Sequence, residues 1–556
     1  MMDASRGPSL FGSRPPVALP YALRCLRIVA PKLVLLTAAI VALRFAMLGS
    51  YPLSDNTESR YAEIARHMVA SANWVTLMLP GDVVFWGKPP LSSWASAAGL
   101  QIFGINEWGA RLPVAMMGLG VTALTWAWAK AHGLRVGLLA LSLLWGSVVF
   151  FASAGAVMTD MALMLSVTLG LSGFRSALAG ADARSRRLGA ICLAAGLAAG
   201  LLAKGPVAII LILGPIVIYA ATGRQALRYT WAVPWFKVLL ASMVIALPWY
   251  ALAEVRTPGF LEYFFVGEHW KRFTEPGWTG DLYGTAHEQP RGLIWLFLAC
   301  GLMPWTLLVP FLLIGRSQAL RSTNPRPPRL SLPIDDAPLL IAWLLVPVLF
   351  FTLSRNILWT YILPVVPAAA ILCARWLARD PRQRRVHATV CAGLIVVMAV
   401  ASSLLLWQAD SGGVRSAKGI LAAAKTQGHA IREVVFLGPV PSSASFYSRG
   451  NLTGGVTIEQ LMAGLDVPSG MSAEHAHQLI AASSRDWEAL PDAFRRGYPI
   501  LAHVGGYVLL ESPRGVTPAG RQTGVSAGTT TGEARVPLDS RDVCVDSCRR
   551  PTEPAV

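Results

Sequence analysis

Three basic residues stand where a charge is expensive to hold: Lys88 in GKPP, Lys204 in AKGP and Arg272 in HWKRF all lie in segments that join apolar runs. Fixed cations at such a boundary can bind an anion and stabilise negative charge developing on it. The plainer alternative is that the lysines snorkel to lipid head groups and the arginine sits in a solvated loop. The acidic candidates are Asp55 and Glu58 in DNTESRYAE and Asp160 in MTDMALML. A positioned carboxylate can take a proton from an attacking hydroxyl. Asp160 also suits a helix N-terminus, where the macrodipole favours an acid, and Asp55 suits a helix cap. Arg60 can pair with a carboxylate or meet an anionic ligand, and His269 can carry a proton or contact a ligand. Tyr361 and Trp86 offer aromatic faces to an apolar chain or a sugar, or belong to the aromatic belt of a membrane interface.

The elements that must position these residues are long and apolar. The 556 residues are 54% hydrophobic and only 14% charged, too apolar for a soluble chain of this length. The apolar residues fall in runs of about twenty, enough to cross a hydrocarbon core of about 30 Å as helices. Spans are expected near 32–49, 111–129, 136–153, 158–178, 189–203, 205–221, 236–253, 291–315, 338–354, 359–378 and 386–407. With closely spaced pairs able to hide another crossing, that is about 11 to 13 transmembrane helices. The first run lacks a convincing small-residue cleavage site before Tyr51 and reads as a retained span after a cytoplasmic segment, 1–31.

Threading the spans alternately puts the arginine-rich loops on one side, among them Arg184, Arg186 and Arg187 and then Arg379, Arg382, Arg384 and Arg385. The positive-inside rule makes that side cytoplasmic. The other side then receives the loop 50–110, the start of the span holding Asp160, the turn at Lys204, the loop from Arg256 to Pro290 and the turn at Tyr361. All the candidate residues share this face. Residues 409–512 change to the composition of a small soluble α/β unit, with a strand at 433–438 and a strand pair within 498–512. This unit should be extracytoplasmic, and 513–556, rich in Gly, Thr, Ser, Arg and Pro, should be a disordered tail.

The formal charge of +17 reports loop orientation rather than nucleic-acid binding. The seven cysteines show no metal spacing; only Cys544 and Cys548, in the tail, are placed to pair.

Read in order, DNTESRYAEIARHM, FWGKPPLSSWASAAGLQIFG, NEWGARLP, MTDMALML, GLLAKGPVAII, EHWKRF and NILWTYILPVVPA resemble the aminoarabinose transferase family, relatives of the protein O-mannosyltransferases. FYSRG at 446–450 resembles the soluble domain of the same family. The resemblance implies an all-α polytopic membrane fold of the GT-C type with a small extracytoplasmic α/β domain. It implies a glycosyltransferase of a bacterial inner membrane with a sugar donor linked to undecaprenyl phosphate. Its acceptor would be a cell-envelope lipid such as lipid A, or a protein.

Under that resemblance the phosphate leaves the anomeric carbon in an inverting displacement. Lys88, Lys204, Arg272 and Arg60 would bind it, with no metal required, and Asp55, Asp160 and Glu58 would be the catalytic acids. His269, Tyr361 and Trp86 would contact substrate or lipid. Two positions depart from the family: Thr57 stands where an Asp commonly precedes Glu58, and Gly87 where many members carry Glu. Asp55 or Glu58 then fills the first acidic role. A hydroxyl acceptor would need a base, whereas a lipid A phosphate is already ionised. A lipid or sugar transporter is the alternative from another class, against which stand the one-sided polar motifs and the lack of a repeat.

Overall fold

A computed structural model describes residues 18–55, 57–180, 182–284, 287–307, 335–380, 382–411, 414–452, 454–459 and 479–511; of residues 18–30, 383, 405–411 and 493–494 it describes the backbone only. The expected tail, its two cysteines, the segment before Ala18 and the end of the expected 291–315 span lie outside these residues.

Helix α1 (Ala18–Ala46) leads into α2 (Glu58–Ser71), the two short strands β1 (Met78–Leu79) and β2 (Val83–Val84), and α3 (Leu91–Phe103). Then come α4 (Glu107–Lys130), α5 (Leu134–Trp145), α6 (Val148–Ser153), α7 (Asp160–Ala179), α8 (Ala183–Lys204), α9 (Val207–Ala221), α10 (Arg224–Trp231) and α11 (Trp235–Arg256). A π-helix (Glu262–Lys271) runs into α12 (Arg272–Thr274), followed by α13 (Leu293–Gly301), α14 (Ala337–Leu353), a 3-10 turn (Trp359–Val365) that continues as α15 (Val366–Leu377), and α16 (Gln383–Ser411).

Among the described residues seven helices are long and apolar enough to cross a membrane, and α5, α9 and α14 are shorter apolar helices. Among the described residues every expected span has a helical counterpart, but three are not single rods. In the 291–315 run the helix stops at Gly301 and a turn follows at Leu302–Pro304. The 136–153 run breaks at Gly146 and Ser147 into α5 and α6. The run starting at 359 opens with a 3-10 turn because Pro364 and Pro367 crowd its first turns.

The tightest helix pair is α7 against α8. A Cβ on Gly196 would lie 2.5 Å from Gly170 N, and one on Gly173 equally close to Leu193 N, so glycine sets the backbone approach. The pair is antiparallel, which brings the start of α7 beside the end of α8. At the far end of the bundle the buried Asp336 accepts from Trp128 Nε1 at 2.7 Å, Arg175 Nε at 2.9 Å and Arg375 Nη1 at 2.9 Å, tying α4, α7 and α15 to the start of α14.

The chain after α16 forms α17 (Lys418–Thr426), β3 (Val434–Leu437), α18 (Ser442–Ser448), β4 (Gly455–Val456), β5 (Leu479–Ser483), α19 (Ser484–Glu488), α20 (Asp492–Arg495), β6 (Ile500–Val504) and β7 (Tyr507–Glu511). Its five-stranded sheet has the order β4-β3-β5-β7-β6. β3 pairs in parallel with β4 and β5, and β7 pairs antiparallel with β5 and β6. The strands at 433–438 and within 498–512 are where the alternation of apolar and turn residues puts them.

Candidate active site

Lys88 precedes Pro89 and Pro90, and Pro90 is the N-cap residue from which α3 begins. Its Nζ donates to Glu268 Oε2 at 2.8 Å. Glu268 belongs to the π-helix, whose wider turns are common where a side chain must be re-aimed. Arg272, one turn on, donates Nη1 to Glu268 Oε1 at 3.1 Å and to Asp281 Oδ2 at 2.9 Å. The side chain of Glu268 is only 3% exposed. Burial works against its charge, but Lys88 and Arg272 outweigh it and hold the carboxyl below its ordinary value. For Arg272 too, burial opposes the charge and Glu268 and Asp281 raise the affinity for the proton.

Lys204 ends α8, and the turn after it uses Gly205 at φ +73°, where a Cβ would strike the Phe264 ring. Lys204 Nζ donates to Asp160 Oδ1, the first residue of α7, at 2.6 Å, and lies 4.5 Å from the centre of the Tyr361 ring. The His269 nitrogens face two main-chain carbonyls, Nδ1 at 2.7 Å from Phe264 O and Nε2 at 3.0 Å from Lys204 O. A neutral imidazole donates to one of these. Burial pushes the ring's pKa below its usual value against the pull of both oxygens, so His269 tethers the π-helix to the end of α8 as a neutral group.

Lys88, Lys204, Arg272, Glu268, His269 and Tyr361 line one cavity of about 400 Å3. Its other walls are mainly apolar and aromatic, with Leu163, Val207, Ile210, Phe265, Phe273, Phe350 and Phe351 among them. Phe273 and Phe350 stack with ring centres 4.7 Å apart. Asn356, also in the lining, donates Nδ2 to the carbonyls of Arg272 and Glu275 and so fixes the end of the π-helix segment. The cavity therefore has a charged lining at one place and a hydrocarbon-like one elsewhere. Such a space suits an amphipathic anion.

Several expected site residues are elsewhere. Asp55 accepts from Ser443 N at 3.1 Å, Ser443 Oγ at 2.8 Å and Tyr507 Oη at 2.7 Å, so its carboxylate docks the C-terminal α/β unit. Glu58 makes a two-pronged pair with the fully buried Arg111, 2.8 Å on each prong, and Arg111 also donates to the carbonyls of Leu48, Tyr51 and Pro52. The external-loop motif is thus fastened to α4 by Glu58 and to the α/β unit by Asp55; neither carboxylate lines the cavity. Trp86 donates Nε1 to Thr257 Oγ1 at 3.1 Å and packs against Tyr263, outside the lining. Arg60 is partly buried and, among the described residues, no ion pair or hydrogen bond engages its guanidinium. Arg44 is buried in α1 and donates to Ala152 O at 3.2 Å and Tyr51 Oη at 3.3 Å.

Glu268, Asp281 and Asn356 were not expected from the residue types. Glu268 had a visible signal, since it stands four residues before Arg272 in EHWKRF, the spacing at which helical side chains meet. Among the described residues no group of three or more His, Cys, Asp or Glu side chains is gathered for a metal ion.

Residues 32–264 match the family described as dolichyl-phosphate-mannose-protein mannosyltransferase. The chain is 30% identical over 392 residues to the undecaprenyl phosphate-alpha-4-amino-4-deoxy-L-arabinose arabinosyl transferase of Enterobacter sp. (strain 638), covering 65% of each. With the corresponding transferase 1 of Sodalis glossinidius it is 30% identical over 325 residues, 57% of this chain and 54% of that one. It thus spans less than two thirds of the length of these relatives. The ArnT of Cupriavidus metallidurans, solved bound to undecaprenyl phosphate, superposes with a TM-score of 0.67 at 22% identity, over 86% of this chain and 97% of that one. The fold of the chain is therefore that of ArnT. With its apolar helices this makes it a multi-pass integral membrane protein, similar in sequence to aminoarabinose and protein mannosyl transferases.

Proposed function

We propose that this protein is an inverting glycosyltransferase that takes a sugar from a polyprenyl phosphate, undecaprenyl phosphate by analogy with the named relatives, and passes it to an acceptor outside the bacterial inner membrane. The observation that carries this reading is the cavity in which three cations converge beside apolar walls. A lipid-linked sugar phosphate has the same division, an anionic centre on a long hydrocarbon. As the anomeric bond breaks, the bonding pair stays on the phosphate oxygen. Lys88, Lys204 and Arg272 stabilise that charge from fixed positions. Side-chain cations then do the neutralising, and the proposal needs no divalent metal.

The acceptor we favour is already ionised, a phosphate group of an envelope glycolipid such as lipid A. Asp55 and Glu58 are committed to Ser443, Tyr507 and Arg111, and Asp160 is held on Lys204 at 2.6 Å, which leaves these acids poorly placed to deprotonate a hydroxyl. Asp160 then acts by aiming Lys204. The match to the protein mannosyltransferase family supports a second reading, transfer to Ser or Thr hydroxyls, in which Asp160 would be the base. The external loop, the cavity and the α/β unit face the extracytoplasmic side in either case, opposite the arginine-rich loops.

The deciding experiment incubates purified protein with undecaprenyl phosphate-linked aminoarabinose or mannose and with lipid A or a Ser/Thr-rich peptide, and identifies products by mass spectrometry. Sugar on a lipid A phosphate is the expected result, and sugar on the peptide selects the second reading. No transfer from any polyprenyl phosphate donor to either acceptor, by protein that is folded, overturns both.

A further inference from the structure

The charges around the cavity cancel to a degree that a simple phosphate trap would not need. Lys88, Lys204 and Arg272 are answered by Glu268, Asp160 and Asp281, each within 3.1 Å of a cation it serves. Of these acids Glu268 alone lines the cavity, and it alone touches two of the cations. Its carboxylate stands between Lys88, from the loop before α3, and Arg272, at the end of the π-helix. These two cations come from distant parts of the chain and would otherwise repel one another.

We infer that Glu268 is a positioning residue whose charge, set between Lys88 and Arg272, weakens the site's hold on the lipid phosphate left after transfer. This rests on the function proposed above. The donor is a phosphodiester with one negative charge. Once its sugar is gone, the lipid carries a monoester with a charge of about −1.5 to −2 at neutral pH. The uncompensated cations would therefore grip the product more firmly than the substrate, and binding that persists after the chemical step slows turnover. A buried carboxylate on the same wall acts most strongly against the more highly charged species.

The sign of one measurement separates this role from simple scaffolding. Glu268→Gln keeps the size and one acceptor for Lys88 or Arg272 but removes the charge. Binding of undecaprenyl monophosphate by the detergent-purified full chain is expected to tighten about tenfold, binding of an uncharged-headed phosphodiester analogue to change no more than about threefold, and kcat to fall. Glu268→Asp, which keeps the charge, should stay within about threefold of the parent for both lipids. A scaffold role predicts the opposite, weaker binding of both lipids in Glu268→Gln; that result, or unchanged monophosphate affinity, overturns the inference while leaving the proposed function standing. Failure of the unaltered protein to bind undecaprenyl monophosphate overturns both. If Glu268→Gln does not fold, Asp281→Asn lifts the other carboxylate from Arg272; tighter monophosphate binding upholds the charge balance and weaker or equal binding ends it.

Discussion

The three acids singled out by type behave differently once their neighbours are known. Asp160 and Lys204 form one unit at 2.6 Å, joined by the antiparallel packing of α7 on α8. Asp160→Asn and Lys204→Ala are each expected to lower turnover by about a hundredfold, and the double variant should be little worse than either single one, because groups acting as a unit are not additive. Multiplying losses in the double variant would show that the two act separately. Glu58 is predicted to matter for stability. Glu58→Gln leaves the buried Arg111 without its full counter-charge and should cost about 3 kcal/mol, read as a lowered melting temperature in detergent. An unchanged melting temperature with lost turnover would return Glu58 to catalysis. The cations were legible because lysine or arginine beside an apolar run is rare and costly. Glu268 was less legible: a carboxylate in an external loop reads as solvated until the distant Lys88 is known to reach it. Asp55 was harder to place for the reverse reason, since residue type cannot tell an acid that meets ligand from one that meets another part of the chain.

At the level of elements, length and apolarity were enough to find each expected span a helical counterpart among the described residues, since a span must be a continuous apolar run. What they could not place was irregular backbone. The break between α5 and α6, the 3-10 turn at Trp359 and the π-helix at Glu262 depend on packing against neighbours, and two of them carry cavity residues, Tyr361 and Glu268. The sheet order of the α/β unit was equally beyond reach, because strand neighbours are set by contacts far apart in sequence. This unit is held to the external loop by Asp55 on Ser443 and Tyr507, by Glu63 accepting from Ser445 Oγ at 2.7 Å, and by Glu107 accepting from Tyr447 Oη at 2.9 Å. Asp55→Asn should therefore loosen the unit, seen as faster amide exchange in α18 and β7, with turnover within about threefold of the parent. A loss of about a hundredfold in turnover with unchanged exchange would make Asp55 a group that acts on substrate.

For the whole molecule, the proposed topology sets the cavity and the α/β unit on the side opposite the arginine-rich loops. A cysteine introduced beside Lys88, in a variant lacking the native cysteines, should react with a membrane-impermeant thiol reagent applied from the extracytoplasmic side; labelling only from the cytoplasm would invert the topology. The central proposal is that a lipid phosphate is held by cations that come from separate parts of the chain. Native mass spectrometry or a lipid-binding titration of the purified protein, comparing undecaprenyl phosphate with undecaprenol of the same length, tests it. The parent protein should prefer the phosphate by about a hundredfold or more, since charge-assisted bonds from three side chains are present for one lipid and absent for the other. Lys88→Ala combined with Arg272→Ala, in protein that elutes and melts as a folded species, should cut that preference at least about tenfold while leaving the weaker undecaprenol binding in place. Retention of the full phosphate preference by the folded double variant would contradict the proposal.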